Sequence, residues 1–342
     1  MYKMRKIIII LFCIPFFATS QQIINDSIDF NGTYRHFITY IPAVYNQSTP
    51  TPLVFNFHGR TGTSFSTMYH ADFRDIADTA NFIIVHPQGL LDSTGVTHWN
   101  YGQSNIDDIG FISELYTHLV NNLYNIDINK VYACGMSNGG AMSYYLACSN
   151  MSNKIAAIAS VTGAMTSYQH LSCNPAHPTP VMEIHGTDDL TVPFNVILPG
   201  IEYWRNYNNC NLVADTTVIP DLILGDWSSV EHIVYNNGNN GVTTELFKII
   251  GGGHTWPGSN FPNSNGITNY DINASEEIWK FFSRYNINGL INSPNNITES
   301  EKENKKILKI INLLGQEVND KHNQPIFYIY DDKTVNKKII IE

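Results

Sequence analysis

Residues 130–148, KVYACGMSNGGAMSYYLAC, leave this chain few folds to choose from. Lys130 to Cys134 are β-branched and aromatic enough for a strand, and the residues from Gly139 onward read as a helix opening on small side chains. Between them stands Gly-x-Ser-x-Gly, centred on Ser137. That pentapeptide alone is a weak signal. Between a strand and a helix it predicts a sharp turn that presents one serine hydroxyl at the rim of a sheet. Glycines at 135, 139 and 140 would let the helix lie close on the strand, and the helix N-terminus would aim free N–H groups at whatever Ser137 attacks.

The surrounding sequence supplies the sheet. Strand-like runs at 35–41, 52–59, 81–89, 154–161, 180–186 and 244–254 alternate with helical patterns. Ile109, Ile112, Leu115, Leu119 and Leu123 form one apolar stripe on a helix between Ile106 and Tyr124. Ala274, Ile278, Phe281, Phe282 and Tyr285 form another near the end of the main body. This alternation predicts an α/β fold with a mostly parallel sheet and helices on both faces.

A serine hydroxyl needs a base, and the base needs an orienting acid. In such a sheet each sits on a loop after a strand, in the order nucleophile, acid, histidine. HGTDD (185–189) follows one strand and GGGHTWPG (251–258) another, so His254 is the expected base. The acid is Asp188 or Asp189; neighbouring side chains on a loop diverge, and Asp189 is favoured. Two oxyanion donors are also needed: the N–H of Asn138, and an N–H of the HGRTG loop (58–62), from Arg60 or failing that Thr61. Trp256, with Trp99 and Tyr101 of the HWNY stretch, is assigned to the acyl or alcohol side of the substrate. His58 and His185 each precede a glycine at a strand end and read as structural. Asp107 and Asp108 stand at a helix start, where carboxylates cap free N–H groups. The histidines lack metal-ligand spacing, so neither a metal nor a cofactor is expected.

The two ends read as addresses. MYKMRK followed by IIIILFCIPFF and small residues at Ala18 and Ser20 has the form of a secretory signal over residues 1–20. Export would put Cys134, Cys148, Cys173 and Cys210 in an oxidising compartment, where four cysteines allow three pairings. Cys148 ends the helix after Ser137 and Cys173 lies in a Pro-rich loop, and these two are the expected pair; Cys134 reads as a buried free thiol. Residues 21–286 form the expected catalytic domain, 287–304 a polar linker, and 305–342 a small β-rich appendage. A hydrophobic fraction of 43% fits a folded core, while a formal net charge of −10 disfavours nucleic acid and anionic membranes as partners.

PLVFNFHG, IDDIGFI, VYACGMSNGGAMSYYLAC, HGTDDLTVPF and GGGHTWPG together resemble the secreted polyhydroxybutyrate depolymerase and feruloyl esterase group of α/β-hydrolases, over most of residues 30–285. The resemblance implies an α/β-hydrolase fold, a Ser137–Asp189–His254 triad that selects Asp189 over Asp188, and a Cys148–Cys173 disulfide. It implies a serine esterase, expected to act first on short-chain hydroxyalkanoate oligomers or polymer and expected to be a monomer. The alternative substrates are feruloyl or acetyl esters of plant polysaccharide, with aryl polyester as a side activity. A rival of another class is a non-catalytic binding protein on a hydrolase scaffold. The tail from Lys309 resembles a shortened type IX secretion sorting domain, which implies the type IX machinery as a partner and a secreted or surface-attached product.

Overall fold

A computed structural model describes residues 21–100, 104–261 and 265–291, together with parts of 307–339. The expected signal peptide and Tyr101 lie outside the described residues. Among the described residues no helix is long and apolar enough to cross a membrane.

Among the described residues ten strands build one sheet: β1 (Gln22–Phe30), β2 (Thr33–Ile41), β3 (Thr51–Phe57), β4 (Ile83–Pro87), β5 (Ile126–Met136), β6 (Ala157–Val161), β7 (Val181–Gly186), β8 (Asp215–Ile219), β9 (Ser229–Tyr235) and β10 (Thr244–Ile250). Their spatial order is β1-β2-β4-β3-β5-β6-β7-β10-β9-β8. The stretch from β4 to β10 is parallel throughout, and antiparallel strands flank it on each side. Seven α-helices accompany them among the described residues: α1 (Ser64–His70), α2 (Arg74–Ala80), α3 (Asp108–His118), α4 (Asn138–Cys148), α5 (Ser167–Ser172), α6 (Leu198–Tyr207) and, after β10, α7 (Ala274–Phe282). This is the α/β-hydrolase arrangement.

Strand residues alternate between two cores, as the period of two requires. Leu53, Phe55 and Phe57 of β3 meet Phe111, Ile112 and Leu115 of α3 and Met142 and Leu146 of α4. On the other face, Tyr132 and Cys134 of β5 and Ala157 and Ala159 of β6 lie against Ala77 of α2 and Ile278, Phe281 and Phe282 of α7. Because the central strands are covered on both faces, they read as continuous apolar runs, and their small alanines let helices sit close.

Two local expectations change. Asp107 does cap α3, accepting from the Gly110 N–H, but Asp108 is buried and pairs with Arg35 at 2.5 Å. Its other oxygen accepts the Asn100 N–H at 2.7 Å, so it braces the HWNY stretch instead of capping. The linker begins later than residue 287: β11 (Tyr285–Asn286) and β12 (Gly289–Leu290) form a small hairpin. The Ile287 N–H donates to Asn129 O at 2.8 Å, and the first compact unit runs to Ile291. The second unit contains β13 (Ile307–Asn312), β14 (Pro325–Tyr330) and β15 (Val335–Ile339), paired antiparallel in that order.

Cys148 at the end of α4 is joined to Cys173 just after α5, 25 residues on. Cys134 and Cys210 are buried free thiols, and burial pushes both upward from the ordinary thiol range, which keeps them unreactive. Loop-closure entropy for a bridge of that span is worth about 3 kcal/mol. The Cys148→Ser/Cys173→Ser double variant is therefore expected to lose about 3 kcal/mol in urea unfolding; an unchanged midpoint would contradict it.

Candidate active site

Ser137 occupies the junction of β5 and α4 with φ 55° and ψ −117°. A non-glycine residue there is strained by about 1–3 kcal/mol, and neighbouring hydrogen bonds must hold it. The Ser137 N–H donates to Val161 O of β6 at 2.8 Å, and its carbonyl accepts from the Ala141 N–H of α4 at 3.0 Å. The glycines make the turn possible through close approach. A Cβ on Gly135 would lie 2.6 Å from Phe57 O and from the Gly139 carbonyl carbon, and one on Gly139 would overlap Phe57 O.

His254 and Asp189 arrive from two other strand ends. The His254 Nδ1–H donates to Asp189 Oδ2 at 2.7 Å, with both residues buried. Asp189 Oδ1 accepts the N–H groups of Thr191 and Val192, each at 2.8 Å. Burial alone would raise the Asp189 carboxyl, but the hydrogen bonds from His254, Val192 and Thr191 outweigh it and hold it below the usual range. Asp188 is exposed and accepts only from its neighbour Thr187 among the described residues, so the geometry separates the two aspartates. The glycines before His254 serve packing more than mobility. The Gly251 N–H donates to Thr187 Oγ1, Gly252 O accepts from the Asp188 N–H, and Gly253 lies against Gly266.

The HGRTG loop faces the elbow. The Thr61 N–H is already given to Thr97 O at 2.9 Å, whereas the backbone N–H groups of Arg60 and Asn138 make no hydrogen bond among the described residues. The Arg60 side chain is drawn outward to Asp92 at 2.6 Å and to Thr94. His58 is buried under this loop with Nδ1–H donating to Gly59 O and Nε2 accepting the Gly89 N–H; burial lowers it to about 4, leaving a neutral ring.

Ser137 and His254 line one cavity of about 510 Å³, together with Gly59, Arg60 and Thr61. Its outer wall is aromatic: Phe65 and Tyr69 on α1 stand 4.9 Å apart, and Phe261 lies 6.2 Å from Tyr69. None of these three was singled out from the sequence, although Thr63 capping α1 and the four-residue spacing of Phe65 and Tyr69 were readable.

Two tryptophans expected to line the substrate do not. Trp256 is buried against Phe73 and Ser275, and does not line this cavity. Trp99 is equally buried, with its ring edge-on to Phe57 and its Nε1–H on His58 O at 3.0 Å. Its backbone N–H and carbonyl clasp the Asn138 amide at 2.6 and 3.0 Å. Trp99 therefore ties the elbow to the HGRTG loop; a large apolar ring next to a functional loop has more area to lose by exposure than a small cavity can use.

Known proteins similar to this chain include named esterases. A family model described as Phospholipase/Carboxylesterase matches residues 100–219. A bifunctional acetylxylan esterase/xylanase of Neocallimastix patriciarum is 26% identical over 80% of this chain, which spans 36% of that protein's length. Feruloyl esterase D of Neurospora crassa is 27% identical over 75% of this chain and 84% of its own. Among solved structures, an acetyl xylan esterase from Aspergillus awamori superposes with a TM-score of 0.57 at 15% identity, covering 77% of this chain and 99% of that one.

Proposed function

We propose that this α/β-hydrolase, a carboxylic ester hydrolase, works through an acyl-enzyme on Ser137 and prefers hydroxycinnamoyl esters such as those of plant polysaccharide. The reading rests on one observation above others: a serine on a positive-φ turn shares a cavity with a histidine whose Nδ1–H is fixed on a buried carboxylate.

With Nδ1 protonated, Nε2 is the basic nitrogen of the neutral ring. It takes the Ser137 proton as Oγ attacks the ester carbonyl, and Asp189 stabilises the imidazolium that forms. The Arg60 and Asn138 N–H groups receive the oxyanion. Collapse of the tetrahedral intermediate expels the alcohol with the proton from His254; water then attacks the acyl-enzyme with His254 again as base, releasing the acid.

The substrate preference comes from the wall. A planar aromatic acyl group can lie against the wall that Phe65, Tyr69 and Phe261 form, and relatives named as feruloyl esterases support that choice. Hydroxyalkanoate oligomers, the first expectation from sequence resemblance, find no comparable support. Rates on methyl ferulate against hydroxybutyrate trimer and p-nitrophenyl acetate test this directly; faster turnover of the trimer than of ferulate would overturn it. Tyr69→Ala/Phe261→Ala should raise KM for methyl ferulate about tenfold and leave KM for the acetate within about twofold.

We further propose export through the N-terminal run and the tail. Fractionation of cells expressing the full chain and a form ending at residue 304 tests it; equal surface delivery of both would contradict a sorting role for the tail.

A further inference from the structure

Behind Asp189 lies a second buried pair. His185 and Glu183 point to the same side of β7, and both side chains are fully buried. His185 Nδ1 is 3.0 Å from Glu183 Oε1, and Glu183 Oε2 accepts the Tyr144 hydroxyl from α4 at 3.0 Å. On its far edge, His185 Nε2 is 2.8 Å from Val192 O and 3.4 Å from Asp189 Oδ2, the oxygen that also receives His254. The groups form one line: Tyr144, Glu183, His185, Asp189, His254.

We propose that His185, ion-paired with Glu183, is a positioning residue for Asp189: its Nε2–H holds the carboxylate on His254 and its charge tunes how basic His254 is. The inference rests on the role given to Asp189 and His254 above. A backbone carbonyl only accepts, so Val192 O requires a hydrogen on Nε2. Nδ1 faces a carboxylate, which is satisfied by a proton shared at that contact. A dry, unpaired carboxylate would be costly, and among the described residues no cation other than this imidazole reaches Glu183. Burial pushes the Glu183 carboxyl up; burial would lower His185, but the hydrogen bond and charge of Glu183 outweigh it and the ring is raised. Both directions describe a proton retained by the pair. The titratable groups facing His185 are Glu183 on its own strand and Asp189 on the next loop, with Tyr144 of α4 and His254 after β10 one contact further.

The sign follows from distance. The positive end of the pair is nearer His254 than the negative end is, so it disfavours the His254 imidazolium. Glu183→Gln removes the partner that keeps His185 charged and lets an amide N–H donate to Nδ1 of a neutral ring. His254 then becomes more basic, and the acidic limb of kcat/KM on p-nitrophenyl acetate should move to higher pH by about half a unit or more. Glu183→Gln/His185→Gln, which replaces the pair by two neutral amides, should shift the limb in the same direction and serves if the single variant does not fold. In the wild-type enzyme, ¹⁵N-histidine NMR at pH 8 should show an imidazole protonated on both nitrogens that disappears in His185→Gln. A folded variant whose profile superimposes on wild type, or a singly protonated His185 at pH 8, would overturn the proposal. Failure of the underlying reading looks different: Ser137→Ala would then remain active.

Discussion

Ser137→Ala is expected to lower kcat on every accepted ester by about 10⁴-fold or more, because the acyl-enzyme route disappears and only the oxyanion donors and binding remain. Stability should stay near wild type. Alanine keeps the Cβ, so the turn at φ 55° carries the same strain and the same hydrogen bonds to Val161 and Ala141. Ser137→Gly serves as the complementary variant: equally inactive, but more stable by about 1 kcal/mol, since glycine adopts positive φ without the steric penalty. Hydrolysis rates and urea midpoints read both. A Ser137→Ala enzyme retaining a tenth of wild-type kcat would remove Ser137 from the chemistry.

Asp189→Asn should be nearly as damaging, with kcat/KM near neutral pH falling by about 10⁴-fold. An amide at 189 can offer its own N–H to Nδ1, and the ring then carries its hydrogen on Nε2, where the base is needed. Unlike Ser137, Asp189 also supports the fold: its carboxylate takes the N–H groups of Thr191 and Val192 as well as His254. Its carboxyl is held below its unfolded value, so the stabilisation it gives is present above the unfolded pKa and is lost as pH falls through the folded one. The variant should therefore melt lower than wild type at pH 7 and lose that difference in acid. Asp188→Asn, on an exposed side chain one residue away, should leave rate and melting temperature close to wild type.

What could be read from the sequence was what local chemistry dictates. The strand–turn–helix around Ser137 was legible because no other residues satisfy a turn with Phe57 O pressed against Gly135 and Gly139. The central strands were legible because burial on both faces leaves them uniformly apolar. The edges were not: β8 and β9 carry exposed and half-buried residues with no strong period. β1 was missed although Asn31-Gly32, both at positive φ, is a direct hairpin signal. Side-chain destinations were harder still. Trp99 and Trp256 sit next to functional loops in the chain, yet which way a ring turns depends on long-range partners such as His58 O and Ser275. Asp108 read as a cap because its partner, Arg35, lies 73 positions earlier. The cavity wall depended on α1 and the loop at Phe261 meeting, which no short pattern encodes.

The most direct test treats the full chain with a fluorophosphonate and maps the adduct by mass spectrometry of its peptides. One equivalent of phosphonyl group should appear on the peptide carrying Ser137, in step with loss of ester hydrolysis, and none on Ser137→Ala. Complete inactivation with the adduct on any other residue, or undiminished hydrolysis by an enzyme fully modified at Ser137, would contradict the account.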